Sequence, residues 1–390
     1  MASNTDWART IGTTLVNHLK EEELTTFRKF KVFAALEANG KVAMNQGGRG
    51  FDWQVRFKNQ PVTSNNGESP RIFARHNLWQ RANLPYRGYS VTDQVSKREM
   101  LENRGAQALI DVAGKMASRL QESMEQYLSS EVYVDGNATG NENRWHGLES
   151  IFAYDGTINV STGAKRGTGT SPGSSSAPDP FAYPSDVYAG LNTDLGYLAG
   201  SLKPITPTPS KNSWPLVPAD PEYDYYAPII CNYTSTYFAG STGTSLAASW
   251  QGNCVEAIRE AVNHAKRNDT KENQIDMILL DRALYIQFLN RLDARERAIV
   301  SKSNGLRSYG FGDVVEIDGI EVSTEYAVPP GVGYGLSIGN MELKCMEGQL
   351  MTAEGPFYNE ELQSHRYAVS VLANIKMKSP RNFIKFAAIA

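Results

Sequence analysis

Residues 51–57 read Phe-Asp-Trp-Gln-Val-Arg-Phe, a strict alternation of large apolar and polar side chains. A period of two places Phe51, Trp53, Val55 and Phe57 on one face of a strand and Asp52, Gln54 and Arg56 on the other. The stretch therefore predicts a half-buried strand. Gly47-Gly48-Arg49-Gly50 before it is a flexible break, and residues 59–70, rich in Ser, Asn and Gly, form a polar tip. A return strand is expected over 71–79, which makes a long hairpin. Two strands alone cannot bury their own apolar face. Something else must cover Phe51, Trp53 and Phe57, and a neighbouring copy of the chain is the natural candidate.

On the N-terminal side, Trp7, Ile11, Leu15 and Leu19 recur at fours and predict an amphipathic helix within 7–30. Asn39-Gly40 predicts a tight turn between short strands in 31–45. On the C-terminal side, Leu109, Val112, Ala113, Met116, Leu120, Met124 and Tyr127 form one continuous stripe. A helix over 94–130 is predicted, with Ser96 and Glu99 as a capping box near its start. At 1.5 Å per residue it would span about 55 Å, a strut and not an ordinary globular helix. Residues 135–240 have the composition of turns and extended chain, with SPGSSSAPDP at 171–180.

Order resumes with a helix over 245–267 and a buried strand over 274–280. A second helix is expected over 281–297, with Asp281 as its N-cap. Asp318-Gly319 marks a hairpin turn within 313–322. Strands follow over 333–346 and 366–377, and Pro380 separates them from a short strand at 382–388.

Composition narrows the function. The chain has 390 residues with 41% hydrophobic and 21% charged side chains, a folded composition. The net charge of −3 argues against tight wrapping of nucleic acid, though not against a wall that faces it. Cys231, Cys254 and Cys345 are widely spaced and odd in number, so neither a zinc ribbon nor a disulfide framework is expected, and they read as buried thiols. The N-terminal sequence reads as no signal peptide, and no run approaches the ~20 apolar residues of a membrane span.

No catalytic, metal or cofactor site is expected. Gly335-Leu336-Ser337-Ile338-Gly339 has the spacing of a serine nucleophile turn, but the following NMELKC reads as strand where that motif needs a helix. Asp135-Gly136-Asn137 opens like a calcium loop, yet the twelfth position is His146 and not the required Glu. The five histidines are scattered, without a metal-binding pair. Basic residues concentrate in the hairpin (Arg49, Arg56, Lys58, Arg71, Arg75, Arg81, Arg87), whereas Glu21–Glu23 lie in the N-terminal arm. Opposite charges on two appendages suit docking between copies, although both could equally be solvated faces.

The order of parts resembles the major capsid proteins of tailed bacteriophages with the Hong Kong 97-type fold. The resemblance extends to GGRGFDWQVRFKNQP (47–61), RGYSVTDQVSKREMLENRGAQALIDV (87–112), SSEVYVDGNATGNENRWHGLESIFA (129–153), VPPGVGYGLSIGNMELKC (328–345) and MKSPRNFIKFAA (377–388). Tyr133, Asp135 and Gly136, then Trp145, His146, Gly147 and Leu148, carry the family's wording after the long helix.

The resemblance implies an α+β fold with an N-terminal arm at 1–44 and an extended hairpin loop at 45–92. The spine helix and the start of a peripheral domain would occupy 93–139, and an axial domain 140–339. Peripheral strands would follow at 340–379, and a C-terminal strand at 380–390 would return to the axial domain. It also implies self-assembly into hexamers and pentamers of an icosahedral head enclosing double-stranded DNA, held by non-specific contact. The place of assembly would be the host bacterial cytoplasm, with a portal and sometimes decoration proteins.

Two departures from the founding member stand out. Only about 45 residues precede the loop, so a separate scaffolding protein or none is expected, and no large cleavage. Lys58 is the only lysine in the loop, and no cross-linking is expected. The interface residues expected are Phe51, Trp53, Val55, Arg56, Phe57, Lys58, Arg71 and Arg75. The competing readings are an encapsulin-like protein compartment and, more remotely, a serine hydrolase using Ser337.

Overall fold

Val32, Phe33, Ala35 and Leu36 are the apolar positions of the first described helix, α1 (Lys31–Ala38), and all four are buried. Spacings of one, three and four put them on one helical face. The short strands expected around Asn39-Gly40 are therefore a helix followed by a single strand. Gly40 ends the helix with a left-handed φ of 64°, and the amide of Lys41 donates to the carbonyl of Leu36. The computed structural model describes residues 30–56, 75–98, 106–152, 186–193, 226–235, 249–266, 274–292 and 314–388, with a few isolated positions among the remainder. The expected helix in 7–30 lies outside them.

A 14-residue strand, β15 (Ser364–Met377), organises the first sheet. On one side it pairs with β4 (Arg87–Ser96) through ten residues, from Ser364 opposite Ser96 to Ala373 opposite Arg87. On the other it pairs with β14 (Thr352–Asn359) near its start and β13 (Met341–Met346) near its end. Strand β1 (Val42–Gln46) adds to β13 in parallel. Residues 87–96 thus belong to this sheet, although the sequence reading carried the loop to 92 and began the long helix at 94.

The long helix α2 is described over Ala106–Glu131. Met116, Leu120, Met124 and Leu128 are its buried stripe, but Tyr127 is 47% exposed and stands off that stripe. The hairpin pairs β2 (Gly50–Arg56) with β3 (Trp79–Pro85), Gly50 opposite Pro85 and Arg56 opposite Trp79. The return strand lies six to eight residues later than expected, because Ala82 and Leu84 supply the inward positions that match Trp53 and Phe51.

The second sheet holds seven strands in the order β10, β11, β9, β12, β16, β8, β5. These are β5 (Phe181–Ala182), β8 (Ile229–Asn232), β9 (Met277–Leu280), β10 (Val315–Ile317), β11 (Ile320–Thr324), β12 (Gly333–Leu336) and β16 (Ile384–Ala387). A short hairpin, β6 (Val187–Tyr188) with β7 (Leu191–Asn192), lies apart. Helix α4 (Trp250–Lys266) buries Cys254, Ile258, Ala261 and Val262 in one core with Ile278 and Phe386 of the sheet. Helix α5 (Arg282–Arg291) adds Leu284 and Phe288. Asp281 precedes α5 but makes no side-chain cap; its carboxylate accepts from the amide of Gly331 at 3.1 Å.

Asp318 and Gly319 take the left-handed φ values of 49° and 85° that the β10–β11 turn needs. The C-terminal strand joins the second sheet, β16 pairing with β8 and β12. The chain therefore crosses between the sheets twice in succession, from β12 to β13 and from β15 to β16.

Candidate assembly surfaces and the joint between the sheets

The short helix α3 (Glu149–Phe152) follows the spine helix and carries a carboxylate into the second sheet. Glu149, 1% exposed, accepts hydrogen bonds from Tyr334 of β12 and from Lys385 of β16, the latter at 2.6 Å. A charge so deep is tolerable only when paired and hydrogen-bonded, and Lys385 supplies both. A second carboxylate, Glu325 just past β11, accepts from Tyr133 at 3.0 Å and from the backbone amides of Lys31 and Val32. Those amides open helix α1, whose N-cap Phe30 has no capping side chain, so Glu325 caps the helix from across the fold. Lys31 completes the set by donating to Ser323 Oγ at 2.7 Å and to the carbonyl of Thr324 at 2.5 Å. Burial nevertheless pushes the Glu325 carboxyl up to about 7.

The third joint sits where the spine helix meets the first sheet. Glu131, fully buried, accepts from Arg144 at 2.5 Å and from the Tyr89 hydroxyl at 2.6 Å, and that hydroxyl in turn accepts from the amide of Trp145. Asn374 of β15 accepts from the amide of His146 and donates to its Nδ1 and to the carbonyl of Pro85. Nδ1 is then the acceptor, which assigns the ring proton to Nε2.

Here the wording Tyr-x-Asp-Gly and Trp-His-Gly-Leu acquires a physical reason. A Cβ on Gly136 would lie 2.6 Å from the Trp145 carbonyl oxygen, and one on Gly147 2.5 Å from those of Glu131 and Val132. Only glycine lets the returning loop lie this close to the helix end, where the Leu148 amide bonds the Val132 carbonyl at 2.7 Å. The expected turn at 135–137 is present, with Asp135 accepting from the amide of Asn137.

The hairpin β2–β3 departs from expectation in what covers it. Phe51, Trp53 and Val55 are each more than nine-tenths buried within the chain itself. Trp53 packs on Tyr188 with ring centroids 6.3 Å apart and lies under the Lys376 ammonium, while Phe51 packs on Tyr86 at 5.5 Å. No neighbour is needed to cover that face, because the chain's own first sheet and β6 supply the second layer. The outward face remains open: Arg56 and Arg75 are exposed, Arg81 pairs with Asp52 at 2.6 Å, and Phe73 and Trp79 are 91% and 49% exposed. Phe57, Lys58 and Arg71 lie outside the described residues.

The sequence reading missed a second surface, the end of β14–β15. Phe357, Tyr358 and Leu362 are 58%, 49% and 57% exposed there. The signal was available in the run Phe-Tyr-Asn-Glu-Glu-Leu at 357–362, which mixes apolar and acidic side chains about a turn.

Ser337 is fully buried between β12 and a 3-10 turn, Ile338–Asn340, and its hydroxyl accepts from Asn340 at 3.0 Å. A nucleophile turn needs that oxygen open to substrate, so this geometry lends the hydrolase reading no support. Among the described residues, no group of His, Cys, Asp and Glu is placed to hold a metal ion. No described helix is long and apolar enough to cross a membrane.

No protein-family model and no curated protein matches the chain in sequence. Solved structures do. A cyanophage A-1(L) capsid chain aligns over 92% of this chain and 94% of its own, with TM-score 0.54 and 15% identity. A chain of the capsid of a native GTA particle aligns over 91% and 90%, with TM-score 0.50 and 11% identity. The chain therefore has the α+β fold of phage capsid proteins, the Hong Kong 97-type fold that its wording resembles.

Proposed function

We propose that this chain, which has a phage-capsid fold, is a shell subunit that assembles with copies of itself into the hexamers and pentamers of an icosahedral phage head. The observation that carries the proposal is the alignment of nine-tenths of the chain with capsid chains over nine-tenths of their own length. Two features of the molecule support it. Three buried carboxylates, Glu131, Glu149 and Glu325, tie helix α2 and the segment that follows it to both sheets, a rigid body suited to repetition. Phe73 and Trp79 on one side and Phe357 and Tyr358 on the other are exposed aromatic side chains, the kind of surface that copies bury against one another.

In this reading the chain works structurally and not as an enzyme, and the head encloses double-stranded DNA through non-specific contact with its inner wall. A separate scaffolding protein, a portal and decoration proteins are the partners this role calls for, with assembly in the bacterial cytoplasm. Sedimentation velocity of the purified full-length chain tests the proposal. Species of hexamer size and above, rising with protein concentration, are expected. A single monomer boundary at every concentration, also with added crowder, would count against it.

A further inference from the structure

We infer that a cavity between helix α1 and the second sheet is a binding site for a small aliphatic amine in its ammonium form, with Glu321 as the group that receives the charge. The inference goes beyond the shell reading and does not depend on it.

The cavity measures about 240 Å³, well beyond the ~15 Å³ that admits one water molecule. Its floor is buried and includes Met277, Leu306 and Glu321. Its rim includes Asn39, Gln274 and Asp276, all exposed. A ligand can thus reach the floor from solvent, where it meets apolar wall beside one acid.

Strand pairing puts that acid in place. β11 runs parallel to β9 with Glu321 opposite Met277, so the two side chains share one face of the sheet. Glu321 Oε2 accepts from the amide of Leu306 at 2.7 Å, and among the described residues none donates to Oε1. Gly305 gives Oε1 its room, because a Cβ there would overlap it. Glu321 is 8% exposed, and a carboxylate so deep is normally paired with a cation. The described lining contains no Lys, Arg or His. Lys31 of α1 donates instead to Ser323 Oγ and to the Thr324 carbonyl. A cation from outside the chain is the partner that fits.

The donor set selects the kind of cation. A hard divalent ion takes about six to eight oxygen ligands, carboxylates prominent among them. Among the described residues no group of three His, Cys, Asp or Glu is placed to supply them. Asp276 at the rim already accepts from the Ile338 amide at 2.8 Å. An ammonium asks less, one carboxylate and a few neutral acceptors for its three N–H donors. Asn39 donates through Nδ2 to the Ala35 carbonyl at 2.7 Å, which keeps its Oδ1 as such an acceptor. Met277 and Leu306 then offer apolar surface to the carbon chain.

The test is ligand-observed saturation-transfer NMR on the full-length chain with n-butylamine at pH 7, and with n-butanol as the uncharged comparison. Saturable transfer is expected from the amine, with a Kd of about a millimolar, and none from the alcohol. Glu321→Gln keeps an acceptor for Leu306 and should weaken binding about tenfold. Glu360→Gln, an exposed acid elsewhere, should leave it unchanged. Gln274→Glu at the rim should tighten binding about twofold, a readout that stands even if Glu321→Gln does not fold. No transfer from the amine, equal transfer from the alcohol, or binding insensitive to both Glu321→Gln and Gln274→Glu would overturn the inference. Displacement of the amine by Mg²⁺ at constant ionic strength would replace it with a divalent ion. Saturable transfer from N-acetyl-lysine methylamide alone would replace the free amine with a lysine side chain of another protein. None of these results bears on the shell reading, which sedimentation tests separately.

Discussion

Tyr133, at the end of the spine helix, donates its hydrogen bond to Glu325 across 192 residues of sequence, at 3.0 Å. The same carboxylate caps helix α1 and lies beside Lys31. Helix α1, the end of helix α2 and the second sheet therefore meet at one buried acid. Placing it there raises its proton affinity, which makes the joint sensitive to pH.

Because burial lifts Glu325 from 4.5 to about 7, the folded chain holds a proton that the unfolded chain has lost between those values. Stability should accordingly fall as pH rises from about 4.5 to about 7, by on the order of 3 kcal/mol from this group alone. Glu325→Gln should remove that slope. Urea denaturation midpoints at half-unit pH steps would reveal it, and an unchanged slope would mean that the amides and Lys31 already hold the acid ionised.

His146 acts with the opposite sign. Burial lowers its pKa from 6.5 to about 4, with Arg87 adding to the effect, so the unfolded chain binds the extra proton between those values. Its contribution is intact above pH 6.5 and lost toward pH 4, again on the order of 3 kcal/mol. Between pH 4.5 and 6.5 the two groups oppose each other, and the wild-type profile should be nearly flat there. His146→Gln should expose the Glu325 slope, and Glu325→Gln the His146 slope, in the same titration.

Gly147→Ala should destabilise the chain by about 3 kcal/mol or more, because its Cβ would strike two backbone carbonyls that cannot yield separately. Gly312→Ala is the matched control, since a Cβ there meets nothing within 4 Å. Thermal melts of the two variants should differ by many degrees, and equal melts would show that the helix end relaxes.

Lys385→Met leaves Glu149 as an unpaired buried charge and should cost about 3–5 kcal/mol, whereas Glu149→Gln with Lys385→Met together should cost clearly less than the sum of the singles. A double-mutant cycle by chemical denaturation measures the coupling, and additivity would show that Tyr334 alone satisfies the carboxylate.

Where side-chain period governs structure, the sequence was readable. The alternation at 51–56, the stripe positions Met116, Leu120 and Met124, the Asp318-Gly319 turn and the short strand after Pro380 stand where the pattern put them. The return strand of the hairpin slipped, because neither Arg71–Trp79 nor Trp79–Pro85 alternates cleanly along its length and register is chosen by the partner strand, not by either stretch alone. What covers Phe51 and Trp53 was unreadable for a related reason: Tyr188 and Lys376 are remote in sequence and announce no contact. The buried acids were missed as well. Glu131, Glu149 and Glu325 look like surface residues in composition, and only the fold brings Arg144, Lys385 and Tyr133 to them.

The most direct measurement is negative-stain electron microscopy of the full-length chain expressed alone and purified from the soluble fraction. Closed shells, tubes or six-fold rings are predicted, and they should disappear when residues 51–81 are removed. A field of uniform monomers that neither crowder nor a co-expressed scaffold converts into shells would contradict the account.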